Sequence, residues 1–190
     1  MKENRKSFAP GTLVAPVPPA MVTVGDFENA NVLTIAWTGI LASQPPKTYI
    51  SVRHSRYSYN IIKETGEFAI NLTPSSLVKT ADFCGMYTGK KVDKFAKYSL
   101  TKEKASKISC PLIGECPISL ECKVTDIVPL GSHDMFIADV VAVDVDEALI
   151  GAGGRLHISR AKLSAFAHGE YFELGRRIGK FGFSVKKSKK

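Results

Sequence analysis

The sequence lacks any apolar run of the ~18 residues that a membrane-crossing helix needs. It holds one tryptophan, no Cys-x-x-Cys pair and no histidine couplet spaced for a metal. No Ser/His/Asp order with a nucleophile elbow occurs, and no paired carboxylates are framed for hydrolysis. These absences argue against a spanning helix, a zinc site and a hydrolase. They leave any reactive chemistry to a bound cofactor. No apolar stretch follows the charged residues 1–7, so a secretory leader is not expected and the expected location is cytoplasmic. There Cys84, Cys110, Cys116 and Cys122 would be reduced. Cys84 alone lies near the motifs below, and packing is the first expectation for it.

The net charge of +8 invites a nucleic-acid reading that its distribution opposes. Lys2, Arg5, Lys6, Lys186, Lys187, Lys189 and Lys190 place most of the excess at the two ends. A nucleic-acid surface needs basic residues clustered on a folded face. Residues 1–7 and 183–190 are expected to be flexible, solubilising ends. With 44% hydrophobic residues and no internal repeat or linker, residues 1–190 read as one domain.

Short apolar runs dominate. Met21-Val22-Thr23-Val24, residues 33–37, Tyr49-Ile50-Ser51-Val52 and Phe68-Ala69-Ile70-Asn71-Leu72 read as strands. Pro45-Pro46 reads as a break. Residues 58–64 read as a helix stopped by Gly66, and a second helix starts at Ser75 or Ser76 and reaches Cys84. Ile118, Leu120, Cys122 and Val124 alternate with Ser119, Glu121, Lys123 and Thr125, and residues 136–145 suit a strand central to a barrel wall. Gly151-Ala152-Gly153-Gly154 reads as a hairpin turn, since no βαβ unit surrounds it to make a dinucleotide loop. The pattern predicts a mainly β fold with a few short helices, a closed or partly closed antiparallel barrel.

Four clusters could carry chemistry. Asn31 to Gly39 holds Trp37 between Thr34 and Thr38; taken alone, Trp37 reads as a core residue. Ser51 to Tyr59 sets Arg53, Arg56 and Ser58 where a strand gives way to a helix, and helix N-termini and guanidinium groups both attract phosphate. A serine-capped helix with solvated arginines is the plainer alternative. Thr88-Gly89-Lys90-Lys91 could complete an anion cradle or be a solvated turn. Gly131-Ser132-His133-Asp134 puts a histidine at the mouth of a strand, where a structural role is the commoner one.

In their order along the chain, these clusters resemble the flavin reductase-like, FMN-binding split-barrel family, and within it the flavoredoxins. The resemblance also takes in Pro16-Val17-Pro18-Pro19, Gly66-Glu67-Phe68, Val92-Asp93-Lys94-Phe95, His168-Gly169-Glu170-Tyr171 and Gly179-Lys180-Phe181-Gly182-Phe183. It departs at Lys90-Lys91, where flavoredoxins often carry Arg-Asp. It implies a Greek-key split barrel that forms a homodimer, with one non-covalent FMN per subunit. Asn31, Thr34, Ala36, Trp37 and Thr38 would line the flavin ring, and Ser51, Val52 and Arg53 would support the ring and ribityl chain. Arg56, Ser58, Thr88 and Lys94 would hold the phosphate, while His133, Phe166 and His168 close the site. NAD(P)H would be the electron donor, and a small molecule or protein the redox partner. Three readings stay open: an NAD(P)H-dependent oxidoreductase, a non-enzymatic FMN electron carrier fed by a protein such as ferredoxin, and a plain ligand-binding barrel.

Overall fold

The structure, a computed structural model, describes residues 4–185. Residues 1–3 and 186–190 of the expected flexible ends lie outside the described residues, and Phe183–Val185 form a short 3-10 turn. Five strands come first: β1 (Ala20–Val24), β2 (Asn31–Ile35), β3 (Thr38–Ser43), β4 (Pro46–Arg53) and β5 (Glu67–Asn71). Helix α1 (Ser58–Thr65) joins β4 to β5, and α2 (Val78–Met86) and α3 (Lys94–Tyr98) follow. β6 (Lys102–Glu103) pairs with β7 (Leu112–Ile113), and β8 (Ile118–Pro129) with β9 (His133–Val145). Two short hairpins complete the chain, β10 (Ile150–Gly151) with β11 (Arg155–Leu156) and β12 (Ser164–Ala167) with β13 (Glu170–Glu173).

Seven strands form one antiparallel sheet in the order β2-β1-β5-β8-β9-β4-β3. Its two edge strands, β2 and β3, are separated in the chain only by Ala36 and Trp37. Laid flat at ~4.8 Å per strand, the edges would stand about 29 Å apart. The connection from Ile35 to Thr38 reaches about 11 Å at most. The sheet must therefore roll up until its edges meet, which makes a barrel with a covalent seam. The Ser51 N–H donates to the Trp37 carbonyl at 2.9 Å and holds that linker against β4.

β1 is buried along its whole length because both its faces are covered. Ala20, Val22 and Val24 point into the barrel with Ile50, Phe68, Ile70 and Phe136. Met21 faces outward beneath Ala81, Cys84 and Phe95 of α2 and α3. Helix α1 ends, as its sequence predicts, at Gly66 in the left-handed region (φ 67°), where the Gly66 N–H caps the Ile62 carbonyl. The second helix opens with a 3-10 turn, Ser75–Leu77, and runs on to Met86. The Gly151 to Gly154 stretch is a hairpin turn.

One strand expectation needs correction. The strand beginning near residue 33 stops at Ile35, because Ala36 and Trp37 are the seam. The break read at Pro45-Pro46 falls at the tip of the β3–β4 hairpin, where Gln44 and Pro45 form the turn and Pro46 opens β4. On β8 the polar residues of the alternation divide between the interior and the surface. Ser119 and Glu121 are buried. Burial works to raise the Glu121 carboxyl, but hydrogen bonds from the Ser106 and Lys107 N–H groups, at 2.7 and 2.6 Å, outweigh it and hold the group below the usual carboxylate range.

Asn71 ties four segments together beneath the helices. Its Nδ2 donates to the Met21 carbonyl (2.9 Å) and Thr23 Oγ1 (3.3 Å), and its Oδ1 accepts from the Ile113 N–H (3.1 Å) and Ser119 Oγ (2.7 Å). An Asn71→Leu change strands several buried groups at about 1–3 kcal/mol each. Urea unfolding should show a loss of at least about 3 kcal/mol; a loss under about 1 kcal/mol would contradict this role.

Candidate functional site

A cleft of about 780 Å³ opens along the seam, within the range of small-molecule sites. Its walls come from β2 and the Ala36-Trp37 linker, the end of β4, the start of α1, the end of α2 and the β12–β13 turn. Strand ends, helix starts and a hairpin tip converge here because the sheet's two edges do.

One end of the cleft gathers basic side chains and the start of α1. No side chain caps the N-terminus of α1, so its first N–H groups have no side-chain acceptor. Ser58, read from sequence as a possible cap, is the first helical residue, and its hydroxyl instead accepts from Asn31 Nδ2 at 2.7 Å. Gly89 closes in opposite: a Cβ there would stand 2.6 Å from Tyr57 Cδ1, so only glycine lets the loop approach. Arg56 donates through Nη1 to the Gly85 carbonyl at 2.7 Å, which links the start of α1 to the end of α2.

Lys94 lies beneath these groups and is only 3% exposed. Its Nζ donates to the Val32 carbonyl (2.5 Å) and the Cys84 carbonyl (2.8 Å). Among the described residues no carboxylate pairs with it. Burial pulls the ammonium down to about 8; the Cys84 thiol opposes that fall and Arg56 adds to it. A buried cation with two carbonyls and one uncommitted proton is a fit for a phosphate, and phosphate-bearing flavins are the group implied by the resemblance. Cys84 also lines the cleft, but burial pushes its thiol up to about 11, so it is a packed neutral thiol rather than a nucleophile.

The other end is aromatic and weakly basic. Trp37 is not a core residue: it is 41% exposed and meets His133 edge-on, with ring centroids 4.6 Å apart. Burial, then Arg53, His54 and Arg56, lower the His133 pKa and favour the neutral imidazole. Ser132 Oγ lies 2.9 Å from His133 Nδ1. Behind it, the Asp134 carboxylate accepts from Tyr59 (2.6 Å) and pairs with His54 Nε2 (2.7 Å). Those two hydrogen bonds, Tyr59 first, keep its pKa below the usual carboxylate range.

Of the residues singled out in the sequence, Asn31, Thr34, Ala36, Trp37, Ser51, Val52, Arg53, Arg56, Ser58, Thr88, Lys94, His133, Phe166 and His168 all line this cleft. Thr38 does not: its hydroxyl donates to the Tyr49 carbonyl at 2.6 Å and serves the β3–β4 ladder. Asn31 lines the cleft beside Ser58, its Nδ2 donating to the Ser58 hydroxyl. Lys90 and Lys91 also lie outside the lining.

Sequence reasoning missed the wall made by residues 12–15 and Val17. Val17 exchanges backbone hydrogen bonds with Phe166 at 2.9 and 2.8 Å, which lays this segment against the β12–β13 hairpin. The hairpin presents His168 (φ 48°) and Gly169 (φ 91°), a two-residue turn with both residues at positive φ, to the cleft. Tyr57, Met86 and Tyr87 were missed too. Their positions at helix ends were the available signal.

The rolled antiparallel sheet thus carries a seam cleft with basic groups at one end and an aromatic pair at the other. The comparisons give the family: residues 14–174 match the family described as flavin reductase like domain, and the chain belongs to it. The fold is its split barrel. The flavoredoxin of Desulfovibrio vulgaris (Miyazaki F) is similar over 96% of this chain and all of its own, at 32% identity and a TM-score of 0.88. An uncharacterised protein of Archaeoglobus fulgidus is 34% identical over 66% of this chain and 71% of its own. The NADPH-flavin oxidoreductase of Streptomyces viridifaciens is 27% identical over 75% of this chain and 74% of its own. No helix among the described residues is long and apolar enough to cross a membrane.

The depressed Lys94 pKa has a testable sign. Below about pH 8 the folded protein without ligand carries the buried charge at a cost. Between about 8 and the unfolded value of 10.5, the unfolded chain holds more protons at this site, so stability rises with pH through this residue. Urea unfolding at pH 7.5 and pH 10 should show wild type gaining about 2 kcal/mol relative to Lys94→Met. A constant difference across that range would contradict the buried charge.

Proposed function

We propose that this chain is an oxidoreductase that binds FMN without a covalent link and passes reducing equivalents from NAD(P)H through it to an acceptor. The carrying observation is Lys94, a buried ammonium that lines the cleft without a carboxylate and sits among Arg56, Ser58 and Thr88. A phosphate dianion placed there satisfies the charge, the uncapped helix and the third proton together. FMN, when bound, supplies the hydride-accepting and electron-transferring chemistry that no side chain of the cleft possesses. Thr34, Ala36, Trp37, Ser51, Val52 and Arg53 offer the walls for its ring and ribityl chain, and Phe166 and His168 the outer rim. With Nδ1 against Ser132, the neutral His133 keeps Nε2 free to give or take a hydrogen bond at the aromatic end.

The likeness to an NADPH-flavin oxidoreductase supports NAD(P)H as donor. The greater likeness to a flavoredoxin supports a second reading, an FMN electron-transfer protein reduced by a protein donor such as ferredoxin. A cytoplasmic homodimer with a small-molecule or protein redox partner completes the proposal.

The visible spectrum of the purified protein mixed with FMN, recorded anaerobically before and after NADH or NADPH, separates the readings. Bound yellow flavin that bleaches with the nucleotide supports the oxidoreductase, and bound flavin that bleaches only with reduced ferredoxin supports the carrier. Failure to bind FMN at all would remove both. The Arg56→Ala, Ser58→Ala double variant should lose about 10–100-fold in FMN affinity, from charge-assisted bonds at about 1.5–3 kcal/mol. Riboflavin, which has no phosphate, should be affected little; equal losses would sink the phosphate assignment. Wild-type affinity for FMN should also fall as pH rises above about 8, where Lys94 loses its proton, while riboflavin affinity stays level.

A further inference from the structure

Beyond β13 the chain leaves the body as an arm. Leu174 keeps one tie, its N–H donating to the Leu163 carbonyl at 2.9 Å. Among the described residues no hydrogen bond joins residues 175–185 to the rest of the protein; those they make, such as the Phe183 N–H to the Lys180 carbonyl at 2.9 Å, are internal. The arm is nevertheless apolar. Ile178 is 92% exposed, Phe181 is entirely exposed, and Phe183 and Val185 are 63% and 80% exposed. Uncovered side chains of this size in one short segment mark a contact surface.

We infer that this arm lies on a second copy of the chain, each copy lending its arm to the other. The inference rests on the homodimer reading and adds the segment that makes the pairing. The area suits it: two phenylalanines bring about 150–250 Å² each. With Leu174, Ile178 and Val185 the arm approaches the ~800 Å² per partner of a standard interface. Exchange by both copies is self-complementary, as twofold symmetry demands. The body has uncovered apolar residues to receive an arm, including Ile40 and Leu41 on the edge strand β3. A lipid surface is the poorer fit, although Arg176, Arg177 and Lys180 add positive charge. Interfacial anchors are amphipathic helices, whereas Gly175, Gly179 and Gly182 break up this segment and residues 175–180 have no regular structure.

Sedimentation equilibrium of the full chain tests the assignment, with wild type beside the Ile178→Ser, Phe181→Ser, Phe183→Ser variant. Wild type should be a dimer, and the variant should dissociate at concentrations at least 100-fold higher while keeping the wild-type circular dichroism spectrum. Phe181→Ser alone should give a smaller shift in the same direction. A variant as tightly dimeric as wild type overturns the arm assignment and leaves the homodimer standing. A monomeric wild type overturns both, and if that monomer sediments with anionic vesicles, the arm belongs to a lipid surface instead.

Discussion

Lys94 brings a positive charge beneath the cleft and meets two backbone carbonyls there, from Val32 and Cys84, with no carboxylate alongside among the described residues. Interiors tolerate such a charge only when something compensates it. The two carbonyls do so in part and also fix where the ammonium sits, because one belongs to β2 and the other to α2. The remaining compensation has to come from the cleft. On the proposed function, the unliganded protein carries a standing cost that a phosphate-bearing ligand would remove, coupling binding to folding stability through one side chain.

That ammonium is useful only because the fold brings other groups to the same place. The two-residue connection between the sheet's outermost strands obliges the sheet to close on itself, and the closure is imperfect at the seam. Trp37 stands in the seam, partly in solvent, against His133 from the strand across β4. The uncapped start of α1, Arg56 and the Gly89 loop stand at the other end. Aromatic surface and positive charge are thus separated along one groove, which matches a molecule that is flat at one end and doubly charged at the other.

The elements with strong periodicity were legible in the sequence. Strands β1, β4 and β5, helix α1 with its Gly66 stop, and the β10–β11 hairpin follow from alternation, helical spacing and glycine chemistry. That Arg56 and Ser58 stand together at a strand-to-helix junction was legible from the sequence, while the place of Lys94 in the same cleft came through the family resemblance. What escaped depended on partners distant in the chain. An alternating strand cannot reveal that Glu121 will be covered by the N–H groups of residues 106 and 107. Nor does a threonine beside a tryptophan disclose that its hydroxyl is committed to Tyr49, as Thr38's is. Trp37 looked like core because large aromatics usually are, and only the seam exposes it. The wall formed by residues 12–15 and Val17 has no period of its own and takes its place through pairing with Phe166.

On the proposed function, a bound phosphate completes the charge of Lys94. The direct measurement is an NMR titration of the Lys94 side-chain 13Cε resonance in the protein without ligand and in its FMN complex. The account predicts a midpoint near 8 without ligand, moving upward by a unit or more when FMN is bound, with riboflavin leaving it near its original value. A Lys94 midpoint that is the same with and without FMN would contradict it.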